Sequence, residues 1–134
     1  MEYTPDKLAL SQLLLDSNNY RFFDMDQYTP VAQNRLHETS VQQRAEDLIR
    51  LDGKEELRAL KESIETNGYV PVEILVVEPD QYTKDLYVVV EGNRRVAAMH
   101  WLKKDREGGS PIPQDLINTF DTLPATWVES LALV

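Results

Sequence analysis

Two consecutive helices are the clearest elements that the pattern of hydrophobic and polar positions predicts. The first begins near residue 39, where Thr39 or Ser40 together with Gln42 or Gln43 offers a capping box, and it ends at Gly53. Its apolar positions recur at helical spacing and are Val41, Ala45, Leu48 and Ile49. This face is expected to pack against the rest of the domain.

The second helix starts at Lys54 and ends at Asn67-Gly68, residue types that readily adopt the left-handed conformation at a helix end. One stripe of this helix is apolar and carries Leu57, Leu60 and Ile64. The two helices therefore follow one another with almost no linker between them.

Strand patterns flank a turn predicted at Pro79-Asp80. Before it, apolar residues alternate with polar ones, which indicates a half-buried strand through Val72, Ile74 and Val76. After it, the continuous apolar run from Leu86 to Val90 is typical of a central strand that is covered on both faces. A helix from Val96 to Lys103 follows this run.

The two ends of the chain give shorter signals. The apolar segment from Lys7 to Leu15 is predicted to be a strand that enters a turn at residues 16–19. A short helix is expected from Pro113 to Phe120, and a closing strand from Leu123 to Val128, with Pro124 near the strand start or at a sheet edge. Together the elements predict a mixed α/β domain.

Composition limits the classes of protein that remain. The 134 residues suit one domain, and the absence of cysteine excludes thiol chemistry and cysteine metal sites. A formal net charge of −9 opposes sequence-independent DNA binding, which needs a surplus of lysine and arginine. Because no apolar run approaches the ~20 residues that cross a bilayer, we expect a cytoplasmic protein without a membrane partner.

The junction from Glu91 to Arg95 is the strongest candidate for a ligand site. Gly92 allows a ligand to approach the backbone, the following helix start offers free N–H groups, and Arg94 with Arg95 adds fixed positive charge. These are the parts of a phosphate site. An alternative interpretation is structural: the arginines pair with nearby carboxylates, and Gly92 only permits a tight turn.

Three other features are weaker candidates. Asn19 with Arg21 follows the first predicted strand, and local considerations favour a plain turn with one solvated arginine over a ligand role. The segment from Asn67 to Pro71 could offer backbone groups to a base, although a helix cap followed by proline is sufficient. His37 is expected at the surface and His100 at a packed or rim position, without metal-ligand spacing.

Taken in order, these motifs resemble one family. Asn19-x-Arg21, the helix end at Asn67-Gly68, the strand opening at Val70-Pro71, and the run from Val89 to Ala98 resemble the ParB N-terminal/sulfiredoxin-like superfamily. The resemblance implies a compact α/β domain with a small mixed sheet flanked by helices. It covers a core of about residues 7–103, with residues after 103 adding little beyond the closing strand near 123–128, and it raises the possibility that residues 1–134 form the N-terminal part of a longer protein.

The resemblance also implies a ligand. In the ParB group a Gly-Glu-Arg-Arg motif holds the triphosphate of CTP, and it corresponds here to Gly92, Asn93, Arg94 and Arg95, with Asn93 in place of the glutamate. By the same resemblance Asn19 and Arg21 close the site from the opposite side, and Gly68, Val70 and Pro71 lie beside the base. The expected ligand is CTP or ATP with Mg²⁺, the expected partner is a second copy or a partner domain, and DNA is contacted only through regions outside this chain.

Other functions on the same fold remain open. A small-molecule kinase of this superfamily would use an acidic-Gly-x-x-Arg turn, which Glu91, Gly92 and Arg95 match, so the resemblance makes Glu91 a candidate catalytic base or magnesium ligand. The alternative role of Glu91 is to pair with Arg94, Arg95 or Arg21. A weak CTPase or ATPase, a ParB-like nuclease and an interaction module without a ligand are further alternatives, and no residue is predicted to hold a metal by itself.

Overall fold

The two central helices form where their hydrophobic periodicity predicts them. The computed structural model describes residues 3–70 and 75–128, in which α1 spans Thr39–Asp52 and α2 spans Lys54–Asn67. The apolar positions of α1 are buried, and Leu57 and Ile64 of α2 are buried with them. Gly68 ends α2 with a positive φ of 81°, as a C-terminal glycine commonly does.

The predicted capping box at the start of α1 is wrong. The N-cap residue is Glu38, and it makes no side-chain capping hydrogen bond. Gln42 instead reaches outside its helix: its amide accepts from the Leu15 N–H (2.8 Å) and donates to the carbonyl oxygens of Leu15 (3.0 Å) and Leu36 (2.8 Å). The backbone of Leu15 leaves the sheet at this point, so its polar groups need such a partner.

The five strands described form one mixed sheet in the order β1-β5-β3-β4-β2. Their ranges are Tyr3–Leu8 for β1, Leu13–Leu14 for β2, Val76–Pro79 for β3, Tyr87–Glu91 for β4 and Leu123–Val128 for β5. Within this sheet β2 pairs in parallel with β4, and β3 in parallel with β5, whereas β1–β5 and β3–β4 are antiparallel. The predicted α/β fold class is confirmed.

Strand β4 is covered on both faces, as its apolar run predicts. Val89 belongs to the main core, whereas Val88 packs in a small second cluster with Leu14, Leu36 and Val41. The turn after β3 also forms where predicted, and Asp80 N–H donates to the Leu86 carbonyl (2.9 Å). Val72 and Ile74 of the predicted preceding strand lie outside the described residues, so β3 is described from Val76 onward.

The N-terminal segment is more broken than its apolar character predicts. In place of one strand from Lys7 to Leu15, β1 ends at Leu8 and a 3-10 turn at Leu10–Gln12 leads into β2. The break is stabilised locally because the Gln12 side chain accepts from Ala9 N–H (2.9 Å). Leu10, which is fully buried, donates its N–H to the Phe120 carbonyl (2.7 Å). The chain thereby crosses from one edge of the sheet to the other.

Helix α3 spans Asn93–Glu107, so it begins three residues before and ends four residues after the predicted limits of Val96 and Lys103. A short helix, α4, covers Gln114–Thr119. Strand β5 has the predicted bounds, and Pro124 lies opposite Lys7 of β1, ahead of the residues that pair with β3. The segment after α3 also contributes to the hydrophobic core, through Leu116, Phe120, Leu123 and Ala125.

The main core lies between the sheet and helices α1, α2 and α3, and it positions the start of α3 at the end of β4. His37 is exposed and His100 is partly buried on α3, as predicted. In residues 3–70 and 75–128 no helix is both long and apolar enough to cross a membrane.

Candidate functional site

The passage from β4 into α3 depends on Gly92. Its φ of 104° and ψ of 17° are left-handed, and a Cβ at this position would lie 2.6 Å from Leu75 Cδ1. The positive φ favours glycine, and a Cβ would force the buried Leu75 side chain to move. The first backbone bond of the helix runs from Val96 N–H to the Gly92 carbonyl (3.0 Å), so the N–H groups of residues 93–95 precede the helical ladder and can donate to a ligand.

A cavity of about 360 Å³ lies at this helix start. Three segments build it: the turn after β2, the junction of α1 with α2, and the passage from β4 into α3. The residues that line it are Asn19, Tyr20, Arg21, Phe22, Ile49, Asp52, Glu56, Leu60, Val90, Glu91, Gly92, Asn93, Arg94 and Arg95. The structure therefore brings the predicted Asn19–Arg21 segment against the predicted phosphate turn, although more than 65 residues separate them in sequence.

Two arginines at the start of α3 are oriented by different partners. Arg94 Nη2 lies 3.3 Å from Asp52 Oδ2, at the end of α1. Arg95 Nη1 donates to the Val70 carbonyl (2.8 Å), and its guanidinium lies 5.5 Å from the centre of the Tyr69 ring. Burial raises the pKa of the Tyr69 hydroxyl, while the nearby Arg95 opposes this shift. Both arginines line the cavity, and each has a partner within the protein that orients its guanidinium.

The third arginine, Arg21, lies on the segment that follows β2. Asn19 is buried and its Oδ1 accepts the Arg21 N–H (3.0 Å), which caps a 3-10 turn at Tyr20–Phe22. Arg21 itself is exposed, with its guanidinium 5.9 Å from the Tyr20 ring centre. Asn19 thus fixes the backbone that carries Arg21, and Arg21 is free to meet a ligand from the side facing α3.

Asn93 has a different environment from its neighbours. Its side chain is buried, accepts the Asp16 N–H (2.9 Å) and donates to the Val89 carbonyl (3.0 Å). These two bonds join the turn after β2 to β4. The side-chain amide is therefore occupied within the protein, and the backbone N–H of Asn93 is the group best placed to reach a ligand.

The predicted base-contacting segment is only partly described. Gly68 ends α2, and Val70 is half-exposed and connected to the site by its carbonyl bond from Arg95. Neither Gly68 nor Val70 lines the cavity, and Pro71 lies outside the described residues. This segment therefore contacts the cavity only indirectly, by the hydrogen bond between Val70 and Arg95, which lines the cavity.

Sequence reasoning missed the carboxylates of the site. Asp52 and Glu56 line the cavity, although Glu56 reads as part of a solvated helix face in the sequence. Asp52 and Glu56 are four positions apart, and only Gly53 separates α1 from α2. This spacing was the sequence signal that could have placed the two carboxylates together. Glu91 also lines the cavity. Of its predicted partners, Arg94 bonds Asp52 and Arg95 bonds Val70, and within the described residues no ion pair joins Glu91 to these two or to Arg21.

The donor set fits a Mg²⁺ ion that is shared with phosphates. Mg²⁺ is commonly held by one or two carboxylates together with substrate phosphate oxygens and water. Asp52 and Glu56 supply such carboxylates in the same cavity as the arginines. Across the described ranges, no group of three or more histidine, cysteine or acidic side chains is arranged to hold a metal.

The sequence matches the model of the ParB N-terminal domain over residues 19–107, about two thirds of the chain. The match includes α1, α2, β3, β4 and α3, and every candidate site residue from Asn19 to Arg95. The chain belongs to the ParB N-terminal domain family. This membership suggests a ParB-like, DNA-associated protein. No curated protein and no solved structure matches the chain.

Proposed function

We propose that this domain binds a nucleoside triphosphate, CTP or ATP, with its phosphates at the start of α3. The single observation that carries the proposal is the cavity in which Arg21, Arg94 and Arg95 line the same space as an open helix N-terminus. Guanidinium groups and free backbone N–H groups are the donors that proteins use for phosphates. The overall acidity of the chain does not oppose this, because the positive charge is local.

The binding mechanism is electrostatic. The N–H groups of residues 93–95 and the side chains of Arg94 and Arg95 hold the phosphates, and Arg21 closes from the wall that Asn19 supports. Mg²⁺ bound with the phosphates would be held by Asp52 and Glu56 and would neutralise part of the phosphate charge. Gly68 and Val70 are proposed to contact the base, because the Val70 carbonyl is bonded to Arg95. Arg95 is oriented by that bond, whereas Arg94 has to leave Asp52 when phosphates bind.

The proposed role of the nucleotide is regulatory. Arg21 and Arg94 come from separate segments, so a ligand that binds both would favour the arrangement in which these segments lie together. Such a shift in population can alter a surface that meets a second copy or a partner domain. Contacts to DNA are proposed to come from regions outside this chain, in keeping with its net negative charge. Any hydrolysis of CTP or ATP by this domain is expected to be slow and to require Mg²⁺.

A thermal-shift panel tests nucleotide binding. CTP, ATP, ADP, GTP and pyrophosphate are each added with and without Mg²⁺ to the wild type, Arg95→Ala and Arg58→Ala. Arg58 is exposed on α2 and lies outside the cavity lining, so it is the matched control. A ligand at 100 times its dissociation constant stabilises the native state by roughly 2.7 kcal/mol. We expect a base-selective shift that Arg95→Ala loses and Arg58→Ala keeps; no shift with any ligand overturns the proposal.

A second candidate is phosphoryl transfer to a small hydroxyl compound. It is favoured by Glu91, an exposed carboxylate in the cavity that makes no ion pair with Arg21, Arg94 or Arg95. Such a carboxylate could accept the hydroxyl proton. ADP release from ATP in the presence of free serine, abolished in Glu91→Gln while ATP binding persists, would support this function. Equal ADP release with and without serine would exclude it.

A further inference from the structure

The ion pair between Asp52 and Arg94 occupies a group that the proposed phosphate site needs. The two atoms lie 3.3 Å apart, and the side chains are 29% and 35% exposed, so the pair faces the cavity rather than the core. Exposed pairs of this kind contribute little to folding stability. The contact is therefore better placed to influence ligand binding than to hold α1 against α3.

Glu56 approaches the same point from the first turn of α2. A Cβ on Gly53 would lie 2.8 Å from Glu56 Oε2 and 3.2 Å from Arg94 Nη2, so the carboxylate and the guanidinium crowd the same side of Gly53. Asp52 and Glu56 thus flank Arg94 at the α1–α2 junction.

The charges that line the cavity balance. The three arginines are matched by three carboxylates, contributed by Asp52, Glu56 and Glu91. A free triphosphate entering this space would meet repulsion from the carboxylates and would have to displace Asp52 from Arg94. A divalent cation bound to the phosphates would reduce the repulsion, because it lowers the negative charge of the ligand. It would also help to displace Asp52 from Arg94, because it attracts the carboxylates.

We propose that Asp52 is a specificity-determining residue that makes the cavity select a polyphosphate complexed with a divalent cation over a free polyphosphate. This inference rests on the proposed nucleotide site, and it specifies that the ligand of that site is the cation complex of the nucleotide. Asp52 acts as an internal competitor for Arg94 when no cation is present. When Mg²⁺ accompanies the phosphates, the Asp52 carboxylate turns to the cation and Arg94 becomes available to the phosphates.

Isothermal titration calorimetry tests the inference. Tripolyphosphate, CTP and ATP are each titrated into the wild type, Asp52→Asn and Asp47→Asn, once with Mg²⁺ and once with EDTA. Asp47 lies on the exposed face of α1, accepts a hydrogen bond from Gln43 and does not line the cavity, so it controls for the loss of one charge on the same helix. Circular dichroism and melting temperature verify folding, and Asp52→Ser provides a second variant if Asp52→Asn folds poorly.

We expect the wild type and Asp47→Asn to bind the Mg²⁺ complex at least tenfold more tightly than the free polyphosphate. In Asp52→Asn the free polyphosphate should gain about tenfold in affinity, so that the preference for the Mg²⁺ complex falls toward unity. An unchanged preference in Asp52→Asn overturns this inference and leaves the nucleotide site standing. No binding of any of the three ligands to the wild type overturns both the inference and the proposed function.

Discussion

Asn93, which follows β4, accepts a hydrogen bond from the backbone of Asp16, which follows the neighbouring strand β2, with its Oδ1 2.9 Å from the Asp16 nitrogen. The same side chain donates to the Val89 carbonyl at 3.0 Å, and only 9% of the residue is exposed. Asp16 begins the turn that leads to Asn19 and Arg21, whereas Asn93 is the first residue of α3. One amide therefore sets the spacing between the two walls of the cavity.

Replacement of Asn93 by alanine should destabilise the fold. The Asp16 N–H and the Val89 carbonyl would each lose a partner in a buried environment, and an unsatisfied buried polar group costs about 1–3 kcal/mol. Urea denaturation measures this loss in the free energy of unfolding. The control is Asn118→Ala on the exposed face of α4, which should change stability by less than about 0.5 kcal/mol. Equal effects of the two substitutions would contradict the role given to Asn93.

Gly92 should tolerate alanine less well than Gly109 does. Both glycines have positive φ, 104° and 96°, so each alanine carries a backbone cost of about 1–2 kcal/mol. Only at Gly92 does the added Cβ also meet Leu75, at 2.6 Å, whereas nothing lies within 4 Å at Gly109. Crowding of this kind adds about 1–3 kcal/mol. Chemical denaturation of both variants should therefore show the larger loss for Gly92→Ala, and equal losses would refute the crowding argument.

Arg21 should contribute to ligand affinity and not to folding. Its side chain is exposed and lines the cavity, so Arg21→Ala is expected to weaken polyphosphate binding about tenfold with no change in melting temperature. Asn19→Ala should weaken binding as well, because the Arg21 backbone loses its 3.0 Å bond. Arg106→Ala, an exposed substitution at the far end of α3, is the matched control in calorimetric titrations. The expectation fails if Arg21→Ala binds as tightly as the control.

His100 should make the fold less stable in mild acid. Burial lowers the His100 pKa below its ordinary value of 6.5; Lys103 and Lys104 act in the same direction, and Glu46 opposes them. Between the lowered pKa and 6.5 the unfolded chain binds more protons than the folded one, so the free energy of unfolding rises with pH across this interval. His100→Gln should flatten that rise, whereas exposed His37→Gln should not. Parallel stability curves for the wild type and His100→Gln would contradict the assignment.

The sequence predicts the features of this protein that depend on residues close together in the chain. The periodic apolar stripe of α2 and the glycine at its end give that helix directly, and Gly92 with two arginines marks a possible anion site. The contribution of Asp52 could not be predicted in this way. Asp52 and Arg94 are 42 positions apart and meet only because the α1–α2 junction packs beside the start of α3.

Contacts between residues far apart in sequence also explain why two predictions were wrong, the capping box of α1 and the unbroken strand from Lys7 to Leu15. Gln42 has the spacing of a capping residue, but its side-chain amide bonds the backbone N–H and carbonyl of Leu15, 27 positions away, instead of the helix start. Leu10 continues an apolar run, but its N–H bonds Phe120 and breaks the strand. In both cases a distant backbone group outweighs a local preference, and no local pattern contains that information.

The position of β5 in the sheet has a practical consequence for shortening this protein. β5 lies between β1 and β3, and three of the five strands described (β1, β2 and β5) fall outside the family match at residues 19–107. A protein trimmed to that match would keep a two-stranded β3–β4 ribbon with both edges unpaired, an arrangement prone to aggregation. The family match is therefore shorter than the segment that the domain needs to fold by itself, which is at least the span from β1 to β5.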